Sequence, residues 1–299
     1  MMLQTLLLLA IVAAAEPSTE PHAVRTVFVG GINRSYLLHL PPDYDPQTPT
    51  PVVLVFHGAA ANGYFISDFS GMNKKADEAG FVAVYPNGKR LSNTLLTWNS
   101  GGLSRKDHPD DVEFVKRLLD NLAQVVNVDP KRVYATGHSN GAMMCYRLAV
   151  ELSDRIAAIA PVGGTMGVDL PGSQRPMSVI HFHGTHDEMV PWNGPTQEML
   201  QELRFTSVER TIQAWAKANN CPERPGVTAM PNTALDGTKV VRIEYESGDD
   251  NTRVVLYMIK GGGHTWPGME RSGDRYGRST LDISANDLMW TFFKMHPMK

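Results

Sequence analysis

A serine between glycines, an aspartate behind an apolar run and a histidine behind three glycines are the side chains of this sequence most suited to chemistry. The serine lies in Gly137-His-Ser-Asn-Gly141, between the apolar run 132–136 and the helical run 142–152. At a strand-to-helix junction, Gly-x-Ser-x-Gly forms a sharp turn that lifts the serine oxygen above the sheet edge. Side chains at 137 and 141 would collide in such a turn, and its backbone N–H groups face whatever the serine attacks. A neutral hydroxyl is a poor nucleophile, so it needs a base to take its proton and an acid to orient that base. On this kind of turn the chain order is serine, then Asp or Glu, then His, each after a strand. The run 178–182 leads into His183-Gly-Thr-His-Asp187, and the run 253–259 leads into Gly261-Gly-Gly-His264. Ser139, Asp187 and His264 therefore occur in the required order. Ser139 is expected to attack an ester carbonyl, His264 to accept its proton, and Asp187 to hold the imidazole. Asp169 and Asp282 do not directly follow strands and are weaker choices for the acid.

Two N–H donors must meet the developing oxyanion. Asn140, after the nucleophile, supplies one; the glycine turn in His57-Gly-Ala-Ala60 supplies the other, with Ala59 favoured. Trp98, Trp192 and Trp266 fall on loops at the same end and are read as a substrate-binding wall for an aromatic acyl group or a sugar face, although loop packing would also use them. Asp110 and Asp111 precede a helical run, where capping accounts for them. His181, His183, His186 and Asp187 raise the alternative of a zinc site. A buried, hydrogen-bonded His181 is the simpler reading, and no metal is expected.

Positioning these groups requires a layered scaffold. Residues 24–29 and 35–40 flank a turn and read as a hairpin, followed by a proline-rich loop over 41–51. Strand-like runs at 51–56, 81–85, 132–136, 156–162, 177–182 and 254–259 alternate with helical runs at 72–79, 110–126, 142–152, 207–219 and 281–295. Short apolar strands separated by helices imply an α/β fold, a mostly parallel central sheet with helices on both faces. The loops 86–109 and 163–176 leave strand C-termini, where open α/β sheets place their ligands.

Residues 1–15 are almost wholly apolar and end in Ala13-Ala14-Ala15, as a secretory signal peptide does, and are short for a membrane span. The expected organisation is thus a signal peptide over 1–15, one catalytic domain over 16–299, and a secreted product. A net charge of −3 and no long basic run remove electrostatic support for nucleic-acid or anionic-membrane partners. With two cysteines, Cys145 and Cys221, there is no disulfide framework; they could pair or stay free.

Together, Gly137-His-Ser-Asn-Gly-Ala-Met143, Tyr146-Arg-Leu148, Ile159-Ala-Pro-Val162, His183-Gly-Thr-x-Asp187, Trp98-Asn99 and Gly261-Gly-Gly-His-Thr-Trp-Pro-Gly268 resemble a secreted esterase group. It contains polyhydroxybutyrate depolymerase-like proteins and feruloyl or acetylxylan esterases. The resemblance runs from about Arg25 onward and implies an α/β-hydrolase fold, carboxylic-ester hydrolysis, no cofactor, and a triad of Ser139, Asp187 and His264. It also implies an ester substrate, small or polysaccharide-linked: a feruloyl or acetyl ester, or a short polyhydroxyalkanoate. A serine peptidase and a non-catalytic binding protein on the same scaffold are the alternatives. Many relatives carry a cysteine near Tyr245-Glu-Ser247 that pairs with the position of Cys221, and others after Trp-Asn-x-Gly-Gly. This chain has Ser247 and Leu103-Ser-Arg105 there, so a free Cys221 is expected.

Overall fold

The computed structural model describes residues 23–90, 96–102, 110–170, 175–199, 204–270 and 275–299. The expected signal peptide lies outside the described residues. The chain opens with the hairpin β1 (Ala23–Val29) and β2 (Ile32–His39), then β3 (Thr50–Phe56), α1 (Gly63–Ser70), α2 (Met72–Ala79) and β4 (Val82–Pro86). Two short strands, β5 (Lys89–Arg90) and β6 (Leu96–Thr97), pair with each other, and α3 (Asp111–Leu122) follows. Next come β7 (Val128–His138), α4 (Asn140–Glu151), β8 (Ala158–Val162), β9 (Ser178–Gly184) and α5 (Val208–Ala218). The chain ends with β10 (Gly226–Ala229), β11 (Lys239–Tyr245), β12 (Val254–Lys260) and α6 (Ala285–Met295).

Among the described residues the main sheet has the order β1-β2-β4-β3-β7-β8-β9-β12-β11-β10. Its centre, from β4 to β12, is parallel; β1 and β2 on one edge and β10 and β11 on the other are antiparallel. The central strands are buried on both faces, which is why they read as continuous apolar runs. Val52, Leu54 and Phe56 face a core shared with α3, α4 and α5, whereas Val53 and Val55 face one shared with α1, α2 and α6. This is the α/β-hydrolase arrangement expected from the alternation. It goes beyond that expectation at α1 and β11, where polar residues interrupt the apolar spacing.

Helix starts follow local chemistry. Asp110, Ser207 and Ser284 each accept a first-turn N–H with the side chain, so α3, α5 and α6 begin just after them. The helical run read over 281–295 is correspondingly shorter, because the segment before Ser284 is committed to other bonds, with Asp282 accepting from Thr233 and Ala234. No helix among the described residues is long and apolar enough to cross a membrane.

Candidate active site

β7, β9 and β12 run parallel within the sheet centre, so the loops that follow them emerge at one end. Ser139 follows β7, Asp187 follows β9 and His264 follows β12. Ser139 has φ 57° and ψ −122°, a conformation that costs a residue with a side chain about 1–3 kcal/mol. It is held by its N–H to Val162 O (3.0 Å) and by Met143 N–H to its own carbonyl (3.0 Å). The flanking glycines are sterically required. A Cβ at Gly137 would lie 2.7 Å from Phe56 O, and one at Gly141 would lie 2.3 Å from the same atom.

His264 Nδ1 lies 2.7 Å from Asp187 Oδ2, with both side chains almost wholly buried. The second carboxylate oxygen, Oδ1, accepts the N–H groups of Met189 (2.9 Å) and Val190 (2.8 Å). With Nδ1 committed to Asp187, Nε2 is the ring nitrogen left to serve as a base. The His264 ring packs on His138, the neighbour of Ser139, at 4.3 Å between centroids, and Tyr276 stacks at 6.5 Å on it. The structure thus brings together the serine turn, the histidine and the aspartate read from sequence.

On the other flank, an added Cβ at Gly58 would touch Ser139 Cβ at 3.3 Å, so the turn after β3 lies directly beside Ser139. Ala59 and Ala60 are both exposed on that turn, and the Ala60 N–H is committed to Leu96 O (2.8 Å). His57 locks the turn from below. Its Nδ1 meets Gly58 O (2.7 Å) and its Nε2 accepts Gly88 N–H (2.9 Å), while burial pushes its pKa down to about 4 and keeps the ring neutral. Asn140 uses its side chain on the segment after β5: Oδ1 accepts from Thr97 Oγ1 (2.9 Å) and Trp98 N (2.7 Å), and Nδ2 donates to Trp98 O and Ser100 Oγ (3.0 Å).

Comparison with known proteins places this geometry. Residues 34–190 match the family described as esterase PHB depolymerase. The chain is also similar to NocK of Nocardia uniformis subsp. tsuyamanensis, named as an esterase by assignment, at 33% identity over 82% of this chain and 74% of that one. The chain belongs to the esterase PHB depolymerase family. It is a carboxylic-ester hydrolase on an α/β-hydrolase scaffold. Feruloyl esterase B of Piromyces equi is 26% identical over 77% of this chain, which spans 42% of that relative's length. A solved structure, the acetyl xylan esterase from Aspergillus awamori, has the same fold with a TM-score of 0.63 at 14% identity, covering 91% of this chain and 99% of that one.

In this esterase the tryptophan wall read from sequence needs correction. Trp98 and Trp266 are both 0% exposed. The Trp98 indole N–H donates to His57 O (2.9 Å) and its ring packs edge-on against Phe56 (5.1 Å); the Trp266 N–H donates to Asn286 Oδ1 (2.8 Å) beneath α6. A loop tryptophan whose indole finds a buried acceptor is drawn inward, so neither presents a face to substrate. Trp192 stays half-buried, its ring edge-on to His183 at 6.0 Å.

The histidine cluster also resolves. His186 is exposed, whereas His181 and His183 are buried and hydrogen-bonded to each other. Their ring nitrogens are all engaged with protein partners, which leaves no donor pair for a metal. Among the described residues no group of three or more His, Cys, Asp or Glu could hold an ion. Cys145 and Cys221 are free thiols, and for Cys221 this is what the departure at Ser247 implies.

Sequence reasoning missed the buried ion pair behind the Thr97–Ser100 segment. Asp110 is the cap of α3, but Asp111 is wholly buried, pairs with Arg34 (2.7 Å) and accepts Asn99 N–H (2.7 Å). Arg34 also lies over the Phe114 ring at 4.0 Å, and Arg147 donates to Asn99 O (2.6 Å). The doubled aspartate was the available signal, because one cap needs one side chain.

Proposed function

We propose that this esterase hydrolyses carboxylic esters through an acyl-serine intermediate, with Ser139 as nucleophile, His264 as base and Asp187 as the orienting acid. The observation that carries the reading is the buried 2.7 Å bond from His264 Nδ1 to Asp187, beside a serine in a strained turn conformation. His264 Nε2 takes the Ser139 proton as Oγ attacks the acyl carbon, then returns it to the leaving alcohol. Asp187 stabilises the imidazolium, and the N–H groups of Asn140 and Ala59 receive the oxyanion. Water then repeats the sequence on the acyl-enzyme, freeing the acid and restoring Ser139.

The substrates proposed are feruloyl or acetyl esters of plant polysaccharide, or short polyhydroxyalkanoate esters. The named activities of relatives support the polysaccharide esters, and the family description supports the polyhydroxyalkanoates. Trp192 is retained as the tryptophan that lines the substrate side. We further propose that residues 1–15 direct export and that 16–299 form one catalytic domain. Turnover of methyl ferulate against a short acetyl ester, with Ser139→Ala as control, tests both layers. Fluorophosphonate labelling lost in Ser139→Ala is the expected result; a folded wild type that neither labels nor turns over either ester overturns it.

A further inference from the structure

A row of buried polar side chains extends inward from the triad and ends on the helix that begins at the nucleophile. Its order is Tyr146 on α4, His181 and His183 on β9, and Val190 in the turn that carries Asp187. Tyr146 Oη is 2.7 Å from His181 Nδ1, His181 Nε2 is 3.1 Å from His183 Nδ1, and His183 Nε2 is 2.8 Å from Val190 O. Both rings are held neutral, because burial pushes their pKa values down, and burial likewise keeps the Tyr146 proton in place.

These distances admit one arrangement of hydrogens. A carbonyl oxygen only accepts, so His183 carries its proton on Nε2 and its Nδ1 is bare. His181 must then donate from Nε2, which leaves its Nδ1 to accept the Tyr146 O–H. The far end of the row is the acid turn itself: Val190 N–H donates to Asp187 Oδ1 (2.8 Å). His183 Nε2 is also 3.5 Å from Asp187 Oδ2, the oxygen that His264 uses; since His183 is neutral, this contact is not an ion pair. The other tautomer would set a lone pair against two acceptor oxygens and push the turn away.

We infer that Tyr146, His181 and His183 are positioning residues for ester hydrolysis: they hold the 187–190 turn so that Asp187 meets His264, and they tie that turn to the helix starting beside Ser139. The inference rests on the triad proposed above. It explains why two histidines occupy the interior of a strand where apolar residues would pack at lower desolvation cost.

The test uses the full chain and compares kcat, KM and the pH profile of kcat/KM on a short acetyl ester. The variants are His183→Leu, His183→Gln and Tyr146→Phe, alone and with Asp187→Asn. His183→Leu is expected to lower kcat about 100-fold with KM within about twofold, as misplacement of a catalytic group does. The acidic limb should move to lower pH, since a carboxylate held less closely stabilises the His264 imidazolium less. His183→Gln, whose amide N–H reaches Val190 O, should recover most of the loss. Added to Asp187→Asn, His183→Leu should cost under about threefold more, because both act through one group. An unchanged kcat, or a loss that is fully additive with Asp187→Asn and leaves the limb unmoved, overturns the inference. If His183→Leu does not fold, Tyr146→Phe decides: a smaller loss with the same limb shift supports the row, and the absence of both effects overturns it. Ser139→Ala and Asp187→Asn alone retaining full turnover would instead overturn the triad.

Discussion

The two flanks of Ser139 are held by different means. On the acid flank, Tyr146, His181 and His183 are bonded side chain to side chain, and these neutral groups reach the Asp187 turn at the Val190 carbonyl. On the oxyanion flank, the Thr97–Ser100 segment is gripped through its backbone by Asn140, Asp111 and Arg147, and it includes the buried Arg34–Asp111 pair. The tasks differ accordingly. A full positive charge beside Asp187 would compete with His264 for the carboxylate, so only neutral donors suit that side. The oxyanion donors proposed above are backbone N–H groups, so their placement depends on fixing main chain, which charged and amide side chains do firmly. Trp98 joins the halves of this second flank, because its backbone is bound by Asn140 and its indole by His57 O.

The largest effect is shared by both flanks and calibrates the rest. Ser139→Ala should lower kcat about 10,000-fold or more, measured by ester turnover. Ser139→Gly should be equally inactive yet melt at a higher temperature than Ser139→Ala, because glycine tolerates φ 57°. Next, Asp111→Ala leaves Arg34 without its countercharge and should cost about 3–5 kcal/mol in denaturant unfolding. Any residual turnover should keep the acidic limb of kcat/KM in place, in contrast to the shift expected when the acid flank is disturbed.

Acidification comes third. His57 stays neutral when folded down to about pH 4, whereas unfolded it takes a proton below about 6.5. The unfolded state therefore binds more protons in that window, and stability falls as pH drops from about 6.5 to about 4, by about 3 kcal/mol from this ring. His181 and His183 act in the same direction. Melting temperature against pH checks the sum, and a flat curve across that window would contradict it. The smallest effect is Trp98→Phe, which keeps a ring but leaves His57 O without its donor; about a tenfold loss of kcat is expected, with KM little changed. If kcat held while only stability fell, Trp98 would be packing rather than joining the two halves of the flank.

The sequence by itself was enough for the alternation of strand and helix, the strand-end positions of Ser139, Asp187 and His264, and the bare glycines around the serine. These depend on local periodicity and on turn sterics within a few residues. Whether a loop side chain faces inward or outward was not legible, because that depends on elements distant in sequence. Trp98 turned inward because the turn after β3 offers the His57 carbonyl, and Trp266 because α6 offers Asn286. Asp111 differs from Asp110 through Arg34, 77 positions earlier in the chain. His181 and His183 became a directed hydrogen-bond row only when Tyr146 on α4 was packed against β9 and Val190 closed over its end. Periodicity determined which strands and helices form, whereas the partner of each buried polar atom was decided by tertiary packing, since a hydrogen bond needs two groups within about 3 Å and sequence specifies only one of them at a time.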